Sequence, residues 1–242
     1  MRRISLLFLV ALFAAIPAFA TPTCASGTLA SYEALGAGGC TIGGDTVYDV
    51  TSLPGTFGNT ELASSAVSIA VAGSSTAPEL IISVTEGASG STSLETMFTY
   101  DITGAQFNGI STVLSDSEEA GNGAVTNIVN FCEGGSFGPD GVDGCTQPNG
   151  GLLTLDSIQN SDSSTFGAVG SLNVTNDFVI DAGGDGDADG GTVTNSFTAA
   201  PAVTAATPEP GSAELLGLGL ALVGAVRGLR ARMGHRGLGW VR

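Results

Sequence analysis

The stretch Gly184-Asp-Gly-Asp-Ala-Asp-Gly190 sets carboxylates at Asp185, Asp187 and Asp189, every second residue, between glycines. Hard oxygens at that spacing on a tight turn are how a calcium loop opens. The EF-hand form is not completed, because Ser196 stands where its bidentate glutamate belongs and no helical pattern flanks the run. The stretch reads first as a solvated acidic hairpin loop, with a weak Ca²⁺ site on Asp185, Asp187 and Asp189 as the alternative. Glu118-Glu119 and Glu133 could offer the paired carboxylates of glycoside hydrolysis. Any acidic chain offers such pairs, and the one tryptophan, Trp240, lies in the C-terminal tail. Asn173-Val-Thr175 fits a glycosylation sequon at a frequency that chance explains.

Other chemistries are excluded by residue type. The basic residues are Arg2, Arg3, Arg227, Arg230, Arg232, Arg236 and Arg242; there is no lysine, and the one histidine is His235. Thr21 to Pro210 holds every acidic residue except Glu214 and not one cation. That span has no histidine for a Ser/His/Asp triad or general-base role, no lysine for a Schiff base and no arginine to clamp phosphate. Nucleic acid and anionic membrane surfaces are repelled by it. The expectation is a non-enzymatic protein without a cofactor, calcium aside.

Cys24, Cys40, Cys132 and Cys145 are an even set, which in an exported chain reads as disulfides. Three connectivities are open. Nearest-neighbour pairing closes two short loops, each worth about 3 kcal/mol by restricting the unfolded chain. No CxxC spacing or histidine supports zinc.

The elements that must carry these residues are strands. Short runs rich in Thr, Val, Ile and Phe recur between Gly, Ser, Asn and Asp: 67–71, 80–85, 96–102, 125–131, 152–155, 172–175, 178–181 and 192–198. No stretch between 60 and 200 keeps a helical period. This predicts an all-β, antiparallel sandwich of jelly-roll type over 21–198. Residues 199–207, Ala-Ala-Pro-Ala-Val-Thr-Ala-Ala-Thr, read as a flexible linker.

The two ends have a different character. Residues 1–20 have the form of a secretory signal peptide: Arg2 and Arg3, an apolar run from Ile4 to Ile16, then Ala18-Phe19-Ala20. Signal peptidase would cleave between Ala20 and Thr21. At the other end, Leu215 to Val226 carries no charge, and Arg227, Arg230 and Arg232 follow at once. A helix from Gly211 to Val226 spans roughly 24 Å, short of a ~30 Å hydrocarbon core. The arginines supply a positive-inside stop signal and can snorkel to lengthen the span. Pro208 and Pro210 hold the preceding segment extended.

Thr207-Pro-Glu-Pro-Gly211, a Leu/Gly/Ala run and then arginines resemble the PEP-CTERM sorting signal of diderm bacteria. The resemblance covers 208–232, with 233–242 a basic cytoplasmic tail. It implies recognition of Pro208, Glu209 and Pro210 by an exosortase, a membrane cysteine transpeptidase. It also implies a transient stay in the inner membrane on a transmembrane helix, and loss of the tail. Glu214 inside the apolar run and the extension past Met233 depart from the usual pattern. Cys24-Ala-Ser-Gly-Thr-Leu-Ala-Ser-Tyr32, Gly39-Cys-Thr-Ile-Gly43, Phe131-Cys-Glu133 and Leu172–Val179 resemble a pattern in PEP-CTERM proteins of unknown role, which implies a shared β fold. The expected protein is an exported surface or matrix component associated with extracellular polysaccharide. The alternative is a calcium-dependent adhesin or carbohydrate-binding module using the Asp185–Asp189 loop.

Overall fold

The computed structural model describes residues 20–55, 58–138, 140–142, 144–147 and 149–201. The signal segment, Pro208-Glu209-Pro210, the C-terminal helix and Arg227, Arg230 and Arg232 lie outside them. Ala20 and Thr21 are described, exposed and without regular structure. Among the described residues no helix is long and apolar enough to cross a membrane.

The domain is mostly antiparallel β-structure, as the period-two runs predict. In chain order its strands are β1 (Gly27–Thr28), β2 (Cys40–Ile42), β3 (Asp45–Leu53), β4 (Thr60–Glu61), β5 (Val67–Ser74), β6 (Ala77–Val84), β7 (Gly87–Gly90), β8 (Ser93–Ser115), β9 (Glu118–Ala120), β10 (Ala124–Glu133), β11 (Gly150–Leu155), β12 (Ser161–Asp181), β13 (Gly186–Asp189) and β14 (Thr192–Ala199). One short helix, α1 (Leu29–Glu33), lies in the Gly-rich N-terminal region, where no element was expected. Thr28 caps it, and its buried Leu29 and Tyr32 anchor it to the core.

Two long strands organise everything else. β8 and β12 pair antiparallel from Ser93↔Asp181 to Val113↔Ser161, with register shifts between Thr165 and Ser171. The sequence reading saw only pieces of each, because Gly104, Gly109, Gly167 and Gly170 interrupt the apolar pattern. The partners of this ribbon change along its length. Thr103 to Met97 of β8 pair with β3, whereas Ser115 to Phe107 pair with β14, which continues to β6, β5 and β1. On the far side, β10 and then β11 flank only Leu172–Asp181 of β12. The ribbon therefore serves both layers of the sandwich, and 11 strands share one hydrogen-bonded network. The change of layer falls at Gly104, whose φ of 146° is open to glycine alone and whose Cβ, if present, would strike Asp45.

The layers meet over an aromatic and aliphatic core. Tyr100 of one layer lies edge-on to Phe197 of the other with ring centroids 6.4 Å apart, and Phe107 also packs on Phe197. A polar bridge runs through this core. Asn195 of β14 donates through Nδ2 to Tyr100 Oη at 3.1 Å and to Asn176 Oδ1 of β12 at 2.9 Å. All three residues are wholly buried. Burial without a nearby positive charge also raises the Tyr100 phenol well above its usual range.

A separate three-stranded sheet, β7-β13-β9, closes one end of the sandwich. The disulfides are Cys24–Cys40 and Cys132–Cys145, which selects the nearest-neighbour connectivity from the three. Such bonds belong to an oxidising compartment.

Truncating Asn195 to alanine leaves the Tyr100 hydroxyl and the Asn176 carbonyl buried without this donor. We expect a loss of about 2 kcal/mol for Asn195→Ala and about 1 kcal/mol for Tyr100→Phe, measured by urea unfolding.

Candidate functional site

The acidic run is built as a strand. β13 is the centre of the small sheet, pairing Asp187 with Ser89 and Ala120, and Asp189 with Gly87 and Glu118. Ala188 between them is buried against the core, as is Ala88 opposite. The every-second-residue aspartates thus follow the two-residue period of a pleated strand, carboxylates out and methyl in. Asp185 sits in the exposed turn before the strand. Glu118 and Asp189 face each other directly across β9 and β13, a like-charge pair that both residues relieve by exposure to water. Among the described residues no group of three or more His, Cys, Asp or Glu side chains could hold a metal ion.

The other expected carboxylates do not converge. Glu119 turns inward and accepts the backbone N–H of Val125 at 2.7 Å, closing the turn into β10. Glu133 stands at the opposite end of β10, about 30 Å along the strand. Partial burial raises its carboxyl above the ordinary range. No cleft brings Glu118 or Glu119 to Glu133.

The sequon asparagine is enclosed. The described residues 134–138, 140–142 and 144–147, tied to β10 by Cys132–Cys145, lie as a strap across the outer face of the sheet. Asn173 Oδ1 accepts from Phe137 N at 3.1 Å, Thr175 Oγ1 donates to Gly141 O, and Gly141 packs on Leu53. Asn173 Nδ2 donates to Asp101 Oδ1 at 3.0 Å. With 6 % of its surface exposed, Asn173 is unavailable for glycan transfer in the folded domain. Burial raises the Asp101 carboxyl, the Asn173 hydrogen bond lowers it, and neighbouring Asp49 adds to the rise.

An open concave surface lies elsewhere, on the stretch of the ribbon that β14 flanks. A groove of about 470 Å³ is lined by Asn108, Ser111, Ser163, Thr165, Phe166 and Thr198. It continues past Ser111 and Ser163 into a second hollow of about 330 Å³ beside Ser161 and Asp162. Pairing explains why these residues share a face: Ser111 is opposite both Ser163 and Ser196, and Gly109 is opposite both Thr165 and Thr198. The polar groups of the lining are hydroxyls and one side-chain amide, with Asp162 its one charge, and Ile110, Phe166 and Val113 add apolar surface between them. Phe166, half-buried in the lining, packs against Phe131 with ring centroids 5.6 Å apart. Such a surface can exchange hydrogen bonds with a neutral polar polymer; it has no group to hold a carboxylate or phosphate. Sequence reasoning missed the groove because serines and threonines spaced by two signal only a strand.

No family model matches the chain, and no curated protein matches it. Among solved structures, the chain is similar to TmCBM61, solved in complex with β-1,4-galactotriose, at 8% identity and a TM-score of 0.29, over 60% of this chain and 85% of that one. It is also similar to a glycosylation-associated protein complex, Gap123, from Streptococcus agalactiae, at 16% identity and a TM-score of 0.30, over 66% of this chain and 27% of that one.

Two outcomes follow from this geometry. Calorimetric titration of the purified chain with millimolar Ca²⁺ should give no binding heat and no rise in Tm, since Asp187 and Asp189 line up along a strand. Replacing Cys132 and Cys145 together by serine should cost about 3 kcal/mol in urea unfolding and open the strap first, read as early proteolytic cleavage within 134–147.

Proposed function

We propose that the protein is an exported surface or extracellular-matrix component, processed by an exosortase and associated with extracellular polysaccharide. One observation carries this reading: Pro208-Glu-Pro210, a short apolar run and three arginines close a chain that begins with a signal-peptide pattern. Paired cysteines in the folded domain are in keeping with passage to an oxidising compartment. The role is non-enzymatic. Residues 21–201 contain no histidine, lysine or arginine, and their carboxylates are spread over separate elements.

The fold suits a C-terminal tether. β14 runs from the acidic three-stranded sheet to Ala199, and Ala200 N is held by Gln106 O as the chain leaves the domain. Ala199 and the acidic sheet thus lie at opposite ends of β14, about 26 Å apart. The hydroxyl-lined groove is the surface assigned to contact a neutral polysaccharide.

The test replaces Pro208, Glu209 and Pro210 with alanine and follows the protein in cells. The variant should accumulate in the inner membrane at precursor size while the unaltered chain reaches the exterior shortened. Unchanged size and location would end the reading.

A further inference from the structure

Glu95 and Asp177 lie on the outer face of the central ribbon, on neighbouring strands. Glu95 is opposite Val179 and Asp177 is opposite Met97, which sets the two acids on one diagonal. Glu95 is wholly buried, and Asp177 is half-buried with Oδ1 enclosed and without a partner. That diagonal puts the two carboxyl groups side by side, away from water and without a cation in the same span, and the Glu95 carboxyl raises the proton affinity of Asp177. Two enclosed carboxyl groups so placed favour a state in which one of them carries a proton.

Among the described residues no positive charge stands beside the pair. From β10, Asp177 faces Ile128 in register. From β4, Glu61 is in register with Glu95 and is exposed. Further along β12, Asp181 is exposed and bonded to Gly183 N. Asn59 Nδ2 donates to Glu95 Oε2 at 2.8 Å, and Gly55 packs on the same oxygen. Every titratable group around the pair is acidic, and residues 21–201 contain no cation.

We propose that Glu95 and Asp177 together form a proton-binding site that locks β4 and the segment around it onto β8, and that losing the proton loosens this edge. The connection is direct. β4 pairs in parallel with Leu94 and Glu95, and Leu62 N donates to Glu95 O at 2.7 Å. Burial first, then the Glu95 contact, pushes Asp177 up to about 7. A folded-state value above the unfolded one means the stabilisation is complete below the ordinary carboxylate value of 3.8. It declines as pH rises and is gone above about 7. The site stands independently of how the chain is exported.

Urea unfolding of the purified chain between pH 5 and 8 tests it. One proton released on unfolding changes the unfolding constant by up to about tenfold per pH unit. The unaltered chain should lose stability steeply up to pH 7. Asp177→Asn, which keeps a donor to Glu95 but cannot titrate, should flatten that loss and be the more stable form at pH 8. Glu95→Gln should do the same. Retention of the full pH dependence in Asp177→Asn would overturn the proposal. So would recovery of the unaltered chain at pH 8 on adding millimolar Ca²⁺ or Mg²⁺, since the pair would then be a cation site. Should neither variant fold, hydrogen exchange at the Leu62 amide, corrected for intrinsic rate, decides: protection lost between pH 6 and 8 supports the proposal, and unchanged protection overturns it.

Discussion

The absence of any cation between residues 21 and 201 governs how this domain can be built. Among the described residues no carboxylate can be met by an ion pair, so each buried or half-buried acid there takes neutral donors or keeps its proton. Backbone amides do most of this. Glu33 accepts Ser52 N, Asp45 accepts Ala105 N, Glu119 accepts Val125 N, and Asp156 accepts Ile158 N and Gln159 N. Each bond fixes a turn or a strand junction, so the acids act as local clamps on the chain that follows. Glu95 and Asp177 are the two acids that the β8–β12 register sets side by side out of water.

The same restriction shapes the sheet edges. Ser161 to Gly170 of β12 has β8 on one side and no strand on the other among the described residues. Lysine is the usual guard for such an edge, and this chain has none. Here Asp162 lies along the edge and accepts Thr154 N, while the register shifts between Thr165 and Ser171 break the ladder that an incoming strand would need. The acidic face of β13 protects the small sheet in another way: any second copy brings like charge to like charge.

Much of the fold was legible in the sequence, for a physical reason. Val125–Phe131 and Thr192–Thr198 alternate cleanly because each has one face on the core and one turned outward, and both are strands. Thr96–Ile102 was also visible, but the strand continues to Ser115 through Gly104 and Gly109, residues that usually punctuate. They serve here as the point where one strand passes between layers. The Asp185–Asp189 run had two readings with one spacing, since alternate oxygens suit a cation loop and also the wet face of a strand. Ala188 was the distinguishing residue, a methyl placed where the core needed a small plug. Glu95 and Asp177 could not be paired from sequence, being 82 positions apart and joined only through the β8–β12 register.

The exposed chemistry and the buried chemistry of this domain therefore separate cleanly. Its concave surface is mostly hydroxyl-lined with Asp162 as its one charge, while the small sheet carries a denser set of exposed carboxylates, Glu118, Asp187 and Asp189. Long-range repulsion from a domain without counter-charge acts on any anionic polymer before contact and weakens as salt shortens its range to about 8 Å at physiological strength. A neutral polymer feels none of it and meets the groove of Asn108, Ser111, Ser163 and Thr198 on equal terms. On the proposed reading, charge selects which polymers approach, and the hydroxyl ladder selects what a permitted polymer bonds to.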